Sequence, residues 1–151
     1  MNFLCGFNYK FNKKAPLTRG RDMNPVICTT IDEDLSLNIF SRAKYLVLIK
    51  NGEIIHREAN PALNSISKRP TVARRCVELG ANVVIASHGS LCYPSYQILR
   101  RAGVEIYVVD AGKRIDSDLI KVIKPVNLGE VIYSSLLAVR ERIMEVFSHG
   151  Q

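Results

Sequence analysis

The stretch VVIASHGSLCYP, residues 83–94, carries more structural information than any other part of this chain. Residues 83–86 are a continuous apolar run, which is typical of a parallel strand buried on both faces. Pro94 suits the first turn of a helix, and a helical pattern follows it. In an open α/β sheet, ligands bind where such strands end and helices begin. The sequence therefore predicts a strand–loop–helix unit with a binding site in loop 87–92.

The residues of this loop suit two kinds of ligand. Gly89 lets a guest approach the backbone closely, and Ser87 and Ser90 add small polar groups around it. His88 and Cys92 supply one nitrogen and one sulfur, the donors that soft metals prefer. We predict Ser87, Gly89 and Ser90 as ligand-binding residues and His88 and Cys92 as metal ligands. The alternative is an ordinary turn with a surface histidine.

Length and composition indicate one domain with a core of its own, since the chain has 151 residues of which 47% are hydrophobic. No apolar run approaches the roughly 18 residues needed to span a bilayer. The first residues lack the uninterrupted apolar stretch of a secretory signal. We therefore expect a cytoplasmic protein without a membrane partner.

The four cysteines show no C-x-x-C spacing. Cys28 falls in an apolar strand pattern and Cys76 in a helical one, so both are predicted to be small buried hydrophobes. A disulfide framework is not expected.

The formal net charge is +7, and its distribution argues against nucleic acid. Residues 1–22 hold five basic residues and one acidic residue and so contribute +4 of it. The remaining excess is too small and scattered for a phosphate-tracking face. Because Met23 precedes the first strand, we interpret residues 1–22 as a basic leader that is disordered or upstream of the true start.

From residue 23 onward the pattern is β-β-β-α-β-α-β. Apolar runs predict five strands, at 26–30, 45–49, 54–55, 83–86 and 104–109. Asn51-Gly52 predicts a tight hairpin between the second and third strands. Asp116 or Ser117 is expected to cap a further short helix. The predicted α/β domain covers residues 23–126.

Residues 127–151 are predicted to form an added amphipathic helix. Its apolar stripe consists of Ile132, Leu136, Val139, Ile143 and Val146. We interpret this stripe as the face that docks the helix on the domain. The alternative is a homodimer through the C-terminal helix.

Four segments in this order resemble the dinitrogenase iron–molybdenum cofactor biosynthesis family of NifX/NafY-type domains. They are IFSRAKY (39–45), IKNGE (49–53), GANVVIA (80–86) and LRRAGVEIY (99–107). The resemblance covers roughly residues 25–109. It implies a ribonuclease-H-like three-layer α/β fold with a five-stranded mixed sheet. The chain departs from the family pattern at two positions: Ile39 stands where the family has histidine, and Ser41 stands where the family has glycine.

The resemblance also implies a function. Members of the family are largely non-enzymatic, and some hold an iron–sulfur or iron–molybdenum-type cluster and pass it to a protein acceptor. By this likeness we expect a carrier that holds an anionic cluster between the Arg42 loop and loop 87–92. The isoleucine at position 39 removes one plausible cluster ligand, the family's histidine. His88, in loop 87–92, is the candidate to replace that histidine.

Arg42 is the candidate cation for that cleft, with pairing to Asp32 or Asp34 as the alternative. An enzyme is not expected, because the core strands offer no converging carboxylates for magnesium. A regulatory or scaffolding module that binds no metal is the second hypothesis. RNA binding is a third, through arginines that more commonly form a solvated helix face: Arg69, Arg74, Arg75, Arg100 and Arg101.

Overall fold

A six-stranded mixed sheet forms the centre of the protein. The computed structural model describes residues 24–115 and 119–149, so the predictions for residues 1–22 and for a cap at Asp116 or Ser117 lie outside it. The strands are β1 (Ile27–Ile31), β2 (Tyr45–Lys50), β3 (Glu53–Ala59), β4 (Val83–Ser87), β5 (Glu105–Val109) and β6 (Lys124–Pro125). Their order across the sheet is β3-β2-β1-β4-β5-β6. The predicted five strands are all present, and the two-residue β6 makes the count six.

The pairing of the strands follows from their connections. β4 pairs in parallel with both β1 and β5, whereas β1–β2 and β2–β3 are antiparallel. Asn51 and Gly52 have φ values of 53° and 86° at the β2–β3 turn. These are the positive values that a type I′ hairpin requires, so this prediction is confirmed.

Four α-helices accompany the sheet in the described part of the chain. They are α1 (Lys68–Glu78), α2 (Tyr93–Arg101), α3 (Leu119–Val122) and α4 (Leu128–His149), and a 3-10 turn (Pro61–Asn64) precedes α1. Among the described residues, none of these helices combines the length and apolarity that crossing a bilayer would require.

Alternate strand residues divide the core into two layers, as the two-residue period of a strand dictates. Cys28 and Val84 pack with Val72 of α1 and Leu99 of α2 on one face of the sheet. Their neighbours Ile27 and Ile85, on the other face, pack with Leu37 and Leu119. Two helices therefore cover one face, and a loop with the short α3 covers the other.

Cys28 and Cys76 form a disulfide between β1 and α1, which corrects the expectation that they are separate hydrophobes. Their Cα atoms are 5.8 Å apart, within the range of natural disulfides. Both residues are fully buried, as predicted. The pairing was not foreseeable because 48 positions separate the two cysteines and only the packing of α1 on β1 brings them together.

The docking face predicted for the C-terminal helix is also wrong. The five residues of the apolar stripe are 49–67% exposed. The residues of α4 that are buried on the domain are instead Glu130, Val131 and Ser134. Polar contacts of Glu130 and Glu141 select this side, and they leave the apolar stripe facing outward.

Candidate functional site

Loop 87–92 leaves the carboxyl end of β4 at the centre of the sheet, the place predicted for a ligand site. Gly89 has a φ of +95°, a conformation that other residues rarely adopt. A Cβ atom here would lie 3.1 Å from Cδ2 of Leu137 and 3.6 Å from Cγ2 of Ile39. Glycine is thus needed both for the turn and for the close approach of α4.

The Arg42 loop, residues 39–43, lies against loop 87–92. The backbone N–H of Phe40 donates to Ser90 Oγ at 3.1 Å, and Ser90 is fully buried. Between the two loops, the space beside Gly89 is occupied by Leu137 and Tyr133 of α4. The cleft expected at this point is therefore closed by the C-terminal helix.

Asn60 holds the Arg42 loop in position. It is buried, and its side-chain amide donates to the carbonyls of Phe40 and Ala43, each at 2.8 Å. Its oxygen accepts from the N–H of Ala62 at 3.0 Å. One side chain therefore satisfies three backbone groups that would otherwise be buried without partners.

We expect Asn60→Asp to lower the free energy of unfolding by about 2–3 kcal/mol, measured by urea denaturation. The aspartate keeps the shape of asparagine but cannot donate, so two buried carbonyls lose their partner. The matched control is Asn82→Asp, since Asn82 is exposed and its side-chain oxygen accepts from the N–H of Val26, a role that aspartate keeps. Equal losses in the two variants would show that Asn60 has no special role.

Two arginines, Arg42 and Arg69, bind the same carboxylate of α4, that of Glu141. Arg69 of α1 is 3% exposed; its Nε donates to the carbonyl of Gly89 at 2.9 Å and its Nη1 to Glu141 Oε1 at 2.7 Å. Arg42 donates to the other oxygen of Glu141 at 3.1 Å. The partner of Arg42 is thus Glu141, and neither Asp32 nor Asp34 takes that place. Arg69 also differs from the solvated helix face expected for it.

Two opposing effects act on the pKa of Glu141. Burial alone would raise the pKa of Glu141, but the hydrogen bond and charge of Arg69, with the charge of Arg42, hold it below its ordinary value. Nη2 of Arg69 is buried without a hydrogen-bond partner among the described residues, and so is Oγ of Ser87. Two buried polar atoms of the residues around the Gly89 turn are therefore unsatisfied.

His88 points to α4. Its Nδ1 lies 2.6 Å from Glu130 Oε1, and its ring stacks on Tyr133 with the ring centres 4.2 Å apart. The other oxygen of Glu130 accepts from the N–H of Gly89 at 2.8 Å and from Ser134 at 2.8 Å. Because a carboxylate accepts hydrogen bonds, Nδ1–H of His88 is the donor to Glu130, and Nε2 is the nitrogen left for a ligand.

Cys92, the second predicted metal ligand, lies in a different environment from His88. It is buried at the start of α2, and its sulfur lies 3.2 Å from the hydroxyl of Ser95. In the part of the chain that the structure describes, no group of three or more histidine, cysteine, aspartate or glutamate residues is placed to hold a metal ion. Of the two predicted metal ligands, His88 is thus exposed and Cys92 is buried.

The other candidate cations are distributed over the surface. Arg75 binds Glu58 with two nitrogens at 2.9 Å and also Glu78, so its charge is engaged within the protein. Nε2 of His56 lies 2.7 Å from Oε1 of the same Glu58. These pairs leave Arg74, Arg100 and Arg101 as the exposed members of the arginine set.

Sequence reasoning missed the three residues that organise the site: Arg69, Glu130 and Glu141. One local signal was present, because Asn127 and Glu130 have the spacing of a helix-capping pair, and Asn127 Oδ1 accepts from the N–H of Glu130 at 2.8 Å. The partners of Glu130 and Glu141 lie about 40 to 100 positions away in the chain. Nothing in the local pattern could have named them.

No family model matches this chain, and neither does any curated protein. Several solved structures, however, match the chain. The apo form of the orange protein from Desulfovibrio gigas has a TM-score of 0.55 and 16% identity over 68% of this chain and 92% of that one. A protein from Thermotoga proposed to be a NifB protein has a TM-score of 0.47 and 19% identity, covering 64% of this chain and 84% of its own.

A third solved structure is a proposed dinitrogenase from Methanocaldococcus jannaschii, with a TM-score of 0.48 and 18% identity over 69% of this chain and 96% of that one. At these identities the likeness concerns the fold. The chain is an α/β protein that shares its fold with the orange protein.

Proposed function

We propose that this chain is a non-catalytic binding protein that holds a compact anion, of the class of metal–sulfur clusters, between the Arg42 loop and loop 87–92. The observation that carries the proposal is the arginine pair. A guanidinium as buried as that of Arg69 needs an anion, and here Arg42 and Arg69 share one carboxylate, that of Glu141. One buried and one exposed guanidinium facing the same position form a recognition element for a multiply charged anion.

The same geometry sets the conditions for binding. A ligand in the cleft must displace Leu137 from Gly89 and compete with Glu141 for the two arginines. The unsatisfied atoms of Arg69 and Ser87 would then gain partners, whereas the N–H of Gly89, which now donates to Glu130, would have to exchange that partner for the ligand. The proposal therefore includes an opening of α4 and a ligand with at least two negative charges.

For a cluster cargo, His88 is the accessible ligand. Glu130 orients its ring in the way that second-shell carboxylates orient metal-binding imidazoles. Cys92 would have to be uncovered before its sulfur could bind. An iron–sulfur or iron–molybdenum-type cargo, and a protein that accepts it in the cytoplasm, remain part of the proposal, as does the ribonuclease-H-like three-layer description of the fold.

The test is cluster uptake by protein purified anaerobically and incubated with iron, molybdate and sulfide, measured as bound metal and visible absorbance. We expect Arg42→Ala and His88→Ala to reduce uptake. Glu141→Gln should increase it at least several-fold, because this change removes the competing charge. Arg74→Ala, an exposed arginine of α1, is the matched control. If neither the wild-type protein nor Glu141→Gln takes up metal, the carrier proposal is wrong.

One observation favours a second function, the interaction module. The apolar stripe of α4 is exposed, and a monomeric protein gains nothing from leaving it so. The predicted homodimer through α4 would cover it.

A further inference from the structure

The exposed stripe of α4 has the spacing of a coiled-coil seam. Ile132, Leu136, Val139, Ile143 and Val146 follow one another at alternating steps of four and three residues. This repeat averages 3.5 residues and places apolar side chains on one line of a helix that meets another helix. Because the docked side of α4 carries Glu130 and Glu141, the helix presents a second, unused contact face.

A groove continues this face onto the domain. It has a volume of about 510 Å³ and lies between α4 and the chain segments around residues 66–70 and 92–94. Val139 and Ile143 line one wall, and the exposed side chains of Ile66 and Tyr93 line the other. A seam beside an apolar groove is the receptor geometry for an amphipathic helix.

Charge decides what kind of helix fits. At 100° per residue, Arg140 and Arg142 lie about 80° to either side of the seam, where they flank any helix placed on it. The three glutamates of α4, Glu130, Glu141 and Glu145, lie about 120° or more from the seam. Both flanks of the seam itself are therefore basic, and in the adjoining groove the three basic side chains of Lys68, Arg69 and Arg142 outnumber Glu141 and Glu145.

Basic flanks argue against a second copy of this chain. Whether two α4 helices paired in parallel or antiparallel, arginine flanks would face arginine flanks without an acidic partner. The leader of residues 1–22, with its own charge of +4, fails for the same reason.

We propose that the α4 seam and its groove bind an amphipathic helix of another protein, one that carries aspartate or glutamate on both sides of its apolar stripe. The overall charge of +7 would speed the approach of such an acidic partner. The seam lies on a different side of α4 from Glu130 and Glu141. The groove beside it shares Arg69 and Glu141 with the anion cleft, so a helix seated in the groove would lie next to that cleft.

The test uses the full chain and two synthetic helical peptides of about three heptads with identical leucine and isoleucine seams. One peptide has glutamate at every flanking position, and the other has lysine. We expect the protein to bind the glutamate peptide at least about tenfold more tightly, by fluorescence anisotropy. Arg140→Glu combined with Arg142→Glu should reverse that preference. Val139→Glu should abolish binding, whereas Ile55→Glu, on exposed β3, should not.

Three outcomes would overturn the proposal. Equal affinity for the two peptides, or none for either, would remove the charge argument. Sedimentation of the wild-type protein as a dimer that Val139→Glu dissociates would assign the seam to a second copy. Competition by a synthetic peptide of residues 1–22 would assign it to the leader. Circular dichroism of each variant confirms that the helix content is retained.

Discussion

Replacing Arg69 with methionine is expected to lower the free energy of unfolding by about 3–5 kcal/mol. The side chain is 3% exposed, and it binds both the carbonyl of Gly89 and the carboxylate of Glu141. Methionine fills much of the volume but leaves a partly buried carboxylate with one exposed partner. Urea denaturation followed by circular dichroism measures the loss.

Arg42 provides the matched control, because it binds the same carboxylate from the surface. Its side chain is 62% exposed, so Arg42→Met should lower the free energy of unfolding by at most about 1 kcal/mol. Adding Glu141→Met to Arg69→Met should recover part of the loss, since the stranded charge is gone. Similar losses for Arg42→Met and Arg69→Met would contradict the view that burial makes this ion pair structurally important.

The second large effect concerns the disulfide. Changing both Cys28 and Cys76 to alanine is expected to lower the free energy of unfolding by about 4 kcal/mol, the value for a closed loop of this length. The bond joins residues 48 positions apart and so restricts the unfolded chain over the whole segment from β1 to α1. Thermal or urea unfolding of protein purified without reductant gives the measurement.

Cys92→Ala is the control for this pair, because Cys92 is buried but free. Cys92→Ala should lower the free energy of unfolding much less than the double change does. Reductant should destabilise the Cys92→Ala variant as much as it destabilises the wild-type protein. The double alanine variant should not respond to reductant at all. A non-reduced digest in which Cys28 and Cys76 appear as free thiols would contradict the pairing.

The strands were predictable because their signals are local. Apolar runs at 45–49 and 83–86 recur as β2 and β4, and Asn51-Gly52 forms the expected hairpin. The parallel pairing of β4 with β1 and β5 follows from the helices between them, which force crossover connections. Periodicity and turn chemistry act over a few residues, so one chain is enough to reveal them.

The face of α4 that docks is where local reasoning failed. An apolar stripe usually marks the buried side of a helix, yet here polar contacts of Glu130 and Glu141 define that side. A hydrogen-bonded carboxylate with a distant partner leaves no periodic trace. The sequence thus predicted a helix but could not indicate which of its two faces the domain would use.

By itself, the sequence determined the α/β class, the order of its elements and the location of a glycine loop after the central strand, because these depend on short-range patterns. Only the tertiary structure decided that Arg69 is buried, that Cys28 meets Cys76 and that Glu141 occupies the cationic cleft. The physical reason is distance along the chain: these contacts join residues 48 to 99 positions apart, and folding alone brings them within bonding range.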